Sequence, residues 1–403
     1  MRAALIRIAT LGLAGLLAGV AASAQPPSDP AGDPIGDPIG ELIEPSSPPP
    51  TPKISKPQTR DAYLASLQSR SCPKTEEFVE PERIALKAKK IALQAINPAR
   101  TSIGGLNFVS GFHLTSDEQR FGGLSGLDIL DDGNLLAISD KGDFVWIDVK
   151  EDGVTPHAAR IAAMRDSKGK SFSSKFAGDA EGLAVQGGVA LVSFETDPRV
   201  LAYDVDACGA AARGIPLGWN MGNAFARQNM KVGDNQGVEG LAVTDDWYLL
   251  AGVETKTGKA SPLSARPLEA PARFDLAIAE NAPELVGLDQ LRIGDDIHVF
   301  SLHRSSRVMS GNAITVVETV LERQLDQSNL PARVVDEIDE RARRDYQIKS
   351  SRVLAEMNLL VTIDNYEGIA AKAMPDGHVR LFIISDDNFS TSQRTLLMVF
   401  DVK

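Results

Sequence analysis

One short motif recurs along the chain and limits the possible folds more than any other feature. It reads Gly123-Leu124-Ser125-Gly126-Leu127, then Asp179-Ala180-Glu181-Gly182-Leu183-Ala184-Val185. It returns as Gly237-Val238-Glu239-Gly240-Leu241-Ala242-Val243 and as Asn365-Tyr366-Glu367-Gly368-Ile369-Ala370. The motif glycines stand at 126, 182, 240 and 368, so the last interval is about twice the others and reads as two periods around a degenerate copy. Each copy leads through a turn into a second apolar run that ends in an acid. Leu135–Ser139 ends in Asp140, Val189–Phe194 in Glu195, Tyr248–Val253 in Glu254 and Leu381–Ser385 in Asp386. A third run often follows, as in Phe144-Val145-Trp146-Ile147-Asp148-Val149.

A period of roughly 40 to 60 residues with three or four strands per unit predicts a β-propeller. A single four-stranded blade cannot cover both of its faces, whereas a ring of blades buries them and leaves only short edges. A β-sandwich would not place the same motif at the same point of each unit. The apolar runs are short and closely punctuated, with Asp132-Gly133 and Asp376-Gly377 as hairpin turns. The expectation is therefore all-β: a propeller of about six blades, within a range of five to seven, over residues 84–403. Two stretches depart from the pattern. Residues 261–289 are rich in Ala, Pro and Glu and read as a surface insertion. Residues 329–344 are highly charged, with Val334, Val335, Ile338 and Ala342 at helical spacing after Pro331, and predict an amphipathic helix over the β core.

The beginning of the chain reads differently. Arg2 and Arg7 precede a short apolar run, and Ala22-Ser23-Ala24 has the small-x-small pattern of a cleavage site. This predicts a signal peptide over residues 1–24, cleaved after Ala24, and a periplasmic or secreted protein with no remaining membrane span. Residues 25–60 hold 11 of the chain's 23 prolines and predict an extended, disordered linker to the 61–403 domain. Cys72 and Cys208 are the only cysteines, and in an oxidising compartment an even pair predicts a disulfide.

Charge narrows the function. The chain has 42 Lys plus Arg against 54 Asp plus Glu, a formal net charge of -12. Loss of Arg2 and Arg7 with the leader makes the balance more acidic still. Such a surface argues against nucleic acid as a partner, because phosphate backbones call for basic faces. The acids are also placed. A glycine at a loop-to-strand junction permits positive φ or close backbone approach, and in a propeller that junction lies at one mouth of the channel. Glu181, Glu239 and Glu367 would converge there, joined by Asp140, Glu195, Glu254 and Asp386.

The run from Arg120 to Leu127, followed by Leu136-Ala137-Ile138-Ser139-Asp140-Lys141-Gly142-Asp143, resembles the family called esterase-like activity of phytase. So do Asn365-Tyr366-Glu367-Gly368-Ile369 and Ser385-Asp386-Asp387-Asn388-Phe389, with Gln393-Arg394-Thr395 after them. The likeness spans roughly residues 100–403. It implies an exported bacterial β-propeller, and the family's name implies hydrolysis of esters or phosphate esters.

Clustered carboxylates do not all stay ionised without a cation, and hard oxygen ligands suit calcium. The leading expectation is calcium-dependent hydrolysis of a small phosphorylated or ester substrate by a monomer. Asp140, Glu181, Glu195, Glu239, Glu254, Glu367 and Asp386 would be metal ligands, with Asp179 and Asp364 as weaker candidates. Lys141, Arg199, Arg304 and Arg394 would grip the substrate. Two alternatives stand beside it. The same acids and bases would equally serve as ion pairs between the blades of a non-catalytic envelope propeller that binds a ligand or a protein. Serine chemistry has little support: no Gly-x-Ser-x-Gly elbow is present, and of His113, His157, His298, His303 and His378 only His303, beside Arg304, invites attention.

Overall fold

The computed structural model describes residues 59–403 except 173, 220–224, 226–236, 270–273, 308–310 and 324–345. The leader at 1–24, nearly all of the Pro-rich stretch and the helix expected at 329–344 lie outside the described residues.

The strands form five antiparallel sheets, each a blade, and the innermost strand of each touches those of its two neighbours. Blade 1 runs outward from Leu124–Ile129 through Leu135–Ser139, Asp143–Val149 and Pro156–Ala163, with Glu82–Ile84 added at the rim. Blade 2 comprises Ala180–Gln186, Val189–Phe194, Arg199–Asp204 and Ile215–Pro216. Blade 3 comprises Val238–Val243, Tyr248–Val253, Ser261–Pro267 and Phe274–Ile278. Blade 4 is built from longer strands, Glu284–Ile293, Asp296–Arg307, Gly311–Arg323 and Tyr346–Met357. Blade 5 begins with Asn365–Ala373, Val379–Asp386 and Thr395–Val402.

The ring closes by mixing the two ends of the described chain. Leu106–Ser116 pairs antiparallel with Thr395–Val402, from Leu114 opposite Thr395 to Leu106 opposite Val402. Leu86–Lys90 then pairs on its outer side. This closure corrects the expected blade count from six to five. The described residues before 117 make no blade of their own; their strands complete blade 5 and edge blade 1. The long interval between Gly240 and Gly368 holds the rest of blade 3 and the single blade 4, with its motif glycine at Gly287.

A second correction concerns residues 261–289. They are not an insertion but the third and fourth strands of blade 3 and the start of blade 4. Ser261–Pro267 is buried at every position, so it shows no polar alternation to read. A strand covered on both faces loses the period-2 signal.

Burial follows the same plan. The described residues contain one hydrophobic cluster at each blade junction rather than one central core. Leu136, Ile138 and Phe144 of blade 1 meet Leu183, Ala190 and Val192 of blade 2, for example. The motif glycines explain how blades come close enough. A Cβ on Gly126 would stand 2.9 Å from Leu183 Cβ, and one on Gly182 would stand 2.9 Å from Leu241 Cβ. One on Gly240 would stand 2.8 Å from Leu288 Cβ, and one on Gly368 would stand 2.9 Å from Leu127 Cβ. None of these four adopts a positive φ, so the requirement is close approach rather than backbone freedom.

Ahead of the blades, Thr59 caps the helix Arg60–Ser71, whose Leu67 is buried against blades 2 and 3. Cys72 and Cys208 are disulfide-bonded, with Cα atoms 5.6 Å apart. Ser71 Oγ donates to Arg213 O at 2.7 Å and accepts from Asp204 N at 2.8 Å, which ties the same segment to blade 2. Among the described residues no helix is long and apolar enough to cross a membrane.

Candidate metal centre at the channel mouth

Each blade carries a β-bulge where its inner strand enters the sheet. Leu124 pairs with Ser139 and Gly126 with Ile138, leaving Ser125 without a partner. In the same way Glu239 stands out between Val238 and Gly240, Val286 between Leu285 and Gly287, and Glu367 between Tyr366 and Gly368. In blade 2 the pairing jumps from Ala180 to Leu183, and Glu181-Gly182 bulges opposite Ser193. A bulge re-aims the extra side chain away from the pleat. The result is a five-position ring of Ser125, Glu181, Glu239, Val286 and Glu367. Blade 4 therefore holds the degenerate motif copy, Leu285-Val286-Gly287-Leu288, with Val286 in the place of Glu.

A second tier sits at the ends of the second strands. Asp140 N donates to Gly123 O and Glu195 N donates to Asp179 O, each at 2.9 Å, while Asn365 pairs with Asp386 and Glu284 with Arg304. With Glu254 directly after Val253, the tier reads Asp140, Glu195, Glu254, Arg304 and Asp386. Arg304 stands where the other blades carry an acid. It donates to Glu367 Oε1 and Asn365 Oδ1, and Asn365 Nδ2 donates to the same Glu367 oxygen at 2.8 Å.

The three ring glutamates line a cavity of about 10 Å³ together with Ser125, room for one water or ion. Neither Glu181 nor Glu239 accepts a side-chain hydrogen bond among the described residues. Burial, then the Glu239 and Glu367 charges, holds the Glu181 carboxyl well above the usual range. Burial, then Glu254 and Glu195, does the same to Glu239. Burial raises Glu367 also, against the pull of Arg304. Asp386 is pushed up to about 7 by burial and by Glu367, and Glu195 is raised by burial, Asp179 and Glu254. Glu181, Glu239 and Glu367 thus face one cavity.

The donor set fits a hard cation. Oxygens of Asp179, Glu181 and Glu195 lie within 4.8 Å of one another. Asp140 is 7% exposed, and its buried Oδ1 has no hydrogen-bond partner. Lys175 partly balances this side: its Nζ lies 2.7 Å from Asp140 Oδ2 and 3.7 Å from Asp179 Oδ1. Thr196 Oγ1 donates to Asp179 Oδ2 at 2.7 Å. Sequence reasoning passed over Lys175, which follows a Ser-rich loop with no repeat signal. Asp179, a weaker candidate by sequence, is one of the three acids brought together here.

The basic residues divide. Arg304 lies in the cluster. Arg199 is directed to Asp197 and to Ala177 O, with its guanidinium 4.1 Å from the Phe194 ring centroid. Arg394 Nε donates to Asp364 Oδ2 at 2.9 Å, beside the ring. Lys141 Nζ lies 3.0 Å from the Phe389 ring centroid. The serine reading finds no site: Ser125 Oγ donates to Ala180 O at 2.8 Å. His303 lies 2.8 Å from Ser301 Oγ through Nε2 and 3.1 Å from Pro283 O through Nδ1. Both side chains are wholly buried, so the pair is a satisfied core contact.

Residues 119–389 match the family described as "Phytase-like: Esterase-like activity of phytase". No curated protein sequence matches the chain. Among solved structures, a glutaminyl cyclase of Myxococcus xanthus is 13% identical with a TM-score of 0.38, over 74% of this chain and 97% of that one. A PQQ-bound aldose sugar dehydrogenase of Streptomyces coelicolor is 14% identical with a TM-score of 0.34, over 81% and 100%. A Cellvibrio cellulosa alpha-L-arabinanase complexed with arabinohexaose is 11% identical with a TM-score of 0.36, over 80% and 92%. These likenesses are loose, and the five-bladed architecture rests on the strand pairing itself.

Proposed function

The chain belongs to the phytase-like family described by esterase-like activity of phytase, and from that premise we propose an exported, calcium-dependent phosphomonoester hydrolase acting at the acidic mouth. The observation that carries the proposal is the convergence of Glu181, Glu239 and Glu367 on an ion-sized cavity, where among the described residues only Glu367 is ion-paired. Asp179, Glu181 and Glu195 would hold the cation, and Glu239, Glu254, Asp140 and Asp386 would complete its surroundings. Bound calcium would supply the positive charge that lets an anionic ester approach and would polarise its phosphoryl oxygens. Arg304 and Lys141 add fixed positive charge at the same mouth. The cavity is too small for a substrate, so the ester would sit outside the ring. Export is supported by the sequence of residues 1–24, which reads as a cleaved leader and would send the protein to the periplasm or out of the cell.

A non-catalytic binding platform is the second reading, favoured by the ion pairs that already engage Glu367, Asp140 and Asp364. The two separate in one experiment on the purified mature protein. Bound metal is measured by elemental analysis, and turnover of p-nitrophenyl phosphate and phytate is followed with calcium or chelator. Calcium at about one or more equivalents and chelator-sensitive turnover are expected. No turnover under any condition would leave the platform.

A further inference from the structure

Beside the acid cluster, two consecutive residues hold a backbone conformation that their side chains disfavour. Asn388 and Phe389 both have a φ of 49°. Asparagine tolerates this region, whereas an aromatic side chain there costs about 1–2 kcal/mol. The turn is over-determined by its neighbours. Asp386 Oδ1 accepts from Asn388 N at 2.6 Å. Asp387 Oδ1 accepts from Phe389 N and from Gly123 N, each at 3.0 Å, and Asp387 Oδ2 accepts from Thr395 Oγ1 at 3.0 Å. Strain kept in place by this many bonds points to a use for what it positions.

What it positions is the Phe389 ring, laid against Gly122 and Gly123 at the entrance to blade 1. A Cβ on Gly123 would stand 2.4 Å from Phe389 Cε2 and 2.3 Å from Asp140 Oδ1. A Cβ on Gly122 would stand 2.7 Å from Asp387 Oδ1 and 3.2 Å from Phe389 Cδ1. Lys141 Nζ then rests over the ring, 3.0 Å from its centroid.

Lys141 differs from the other cations of the mouth. Arg304, Arg199, Arg394 and Lys175 each have a carboxylate within 4.0 Å. Among the described residues Lys141 has none, and it is exposed. An aromatic face orients an ammonium without cancelling its charge. The same corner holds the buried Asp140 Oδ1, an acceptor with no donor.

We propose that Phe389 is a positioning residue whose strained turn holds the Lys141 ammonium at the mouth as the anchor for an anionic oxygen group, phosphate or carboxylate, of the bound ligand. The proposal rests on the mouth being a ligand site but not on hydrolysis.

The test uses the purified full-length protein with saturating calcium and inorganic phosphate as the probe, in a calorimeter, with acetate in a second arm to separate the two anions. Lys141→Ala is expected to weaken binding of the preferred anion roughly tenfold, the loss of one charge-assisted contact. Phe389→Gly should weaken it to a similar degree, while relief of the positive φ offsets part of the ring packing lost against Gly122 and Gly123. A merely structural residue would lose stability without this loss of anion affinity. Phe389→Tyr, which keeps the aromatic face, should bind within about twofold of the parent, and the double variant should be no worse than either single one. Unchanged binding in Phe389→Gly, or in Lys141→Ala, overturns the proposal, as does a parent protein that binds neither anion. Anion binding without turnover of p-nitrophenyl phosphate would end the hydrolase reading and leave this one standing.

Discussion

At the scale of single residues the protein holds more buried negative charge than its cations balance. At the mouth, Glu239 sits among Glu254, Glu195 and Glu367, with Arg304 as its opposing charge. Glu239→Gln is expected to stabilise the metal-free protein at pH 8 by about 1–3 kcal/mol and to reduce the stabilisation that calcium confers. Urea unfolding with calcium and with chelator checks both halves. A second acid pair lies farther along the inner strands. Asp128 accepts from Ile129 N and Val185 N, and Asp289 from Gln290 N and Ala371 N, so each clamps its blade to the next. Burial pushes Asp128 up to about 7; burial and the Asp128 charge hold Asp289 well above the usual range. In the unfolded chain both titrate near pH 4. Between about pH 4 and 7 the folded state keeps protons that the unfolded state has released, so stability falls as pH rises through that window. Each such group contributes a slope of about 1.4 kcal/mol per pH unit. Metal-free protein should therefore be more stable at pH 5 than at pH 8, and Asp128→Asn should flatten the dependence. An unchanged slope in the variant would count against this assignment.

At the scale of elements, the glycine-centred bulge both joins blades and aims the site. The two roles separate in blade 4, where Val286 has replaced the acid but Gly287 remains. A Cβ on Gly287 would stand 2.3 Å from Glu367 O, a backbone atom that cannot swing away. Gly287→Ala is expected to cost about 3 kcal/mol and to disturb the neighbouring Glu367. Gly258→Ala, at a φ of 64° with nothing within 4 Å, should cost only about 1 kcal/mol from its backbone strain. Thermal unfolding of the two variants compares them, and equal losses would mean that the blade contact is not tight. Blade 4 also shows why its motif copy was hard to find. It carries Val286 where the other copies carry an acid or Ser125, and packing alone leaves only Leu and Gly as a signal.

At the scale of the whole molecule, stability comes from closing a ring. Leu106–Ser116 fills the place between Thr395–Val402 and Leu86–Lys90, which removes the long edge that blade 5 would otherwise present. The Cys72–Cys208 bond adds a second long-range tie, across 136 residues. Cross-linking so long a loop restricts the unfolded chain, and its reduction is expected to cost about 2–5 kcal/mol. Denaturant unfolding with and without reductant measures this. The loss should centre on blade 2 and the helix Arg60–Ser71 rather than on the mouth, and hydrogen exchange can locate it.

The repeat alone determined much of this protein. Glu-Gly-Leu followed by a turn, a strand and an acid identified the propeller class and the acids of the mouth, because every blade solves the same packing problem with the same residues. Short, continuous apolar runs such as Leu135–Ser139 and Val189–Phe194, buried at every position, were equally legible. Only the tertiary structure decided the rest. Ser261–Pro267 is as buried as those runs, but its two Ser, two Pro and one Arg break the apolar pattern, and only the packing of blade 3 shows it to be a strand. The blade count depended on Leu106–Ser116 joining a partner 281 residues away in sequence, as Thr395 opposite Leu114 shows, and no local pattern encodes a pairing of that range. The placing of Arg304 in the acid tier, of Lys175 against Asp140 and of Lys141 on Phe389 likewise arises from elements that meet only when the ring closes. Periodicity records what each blade repeats, and closure sets what they share.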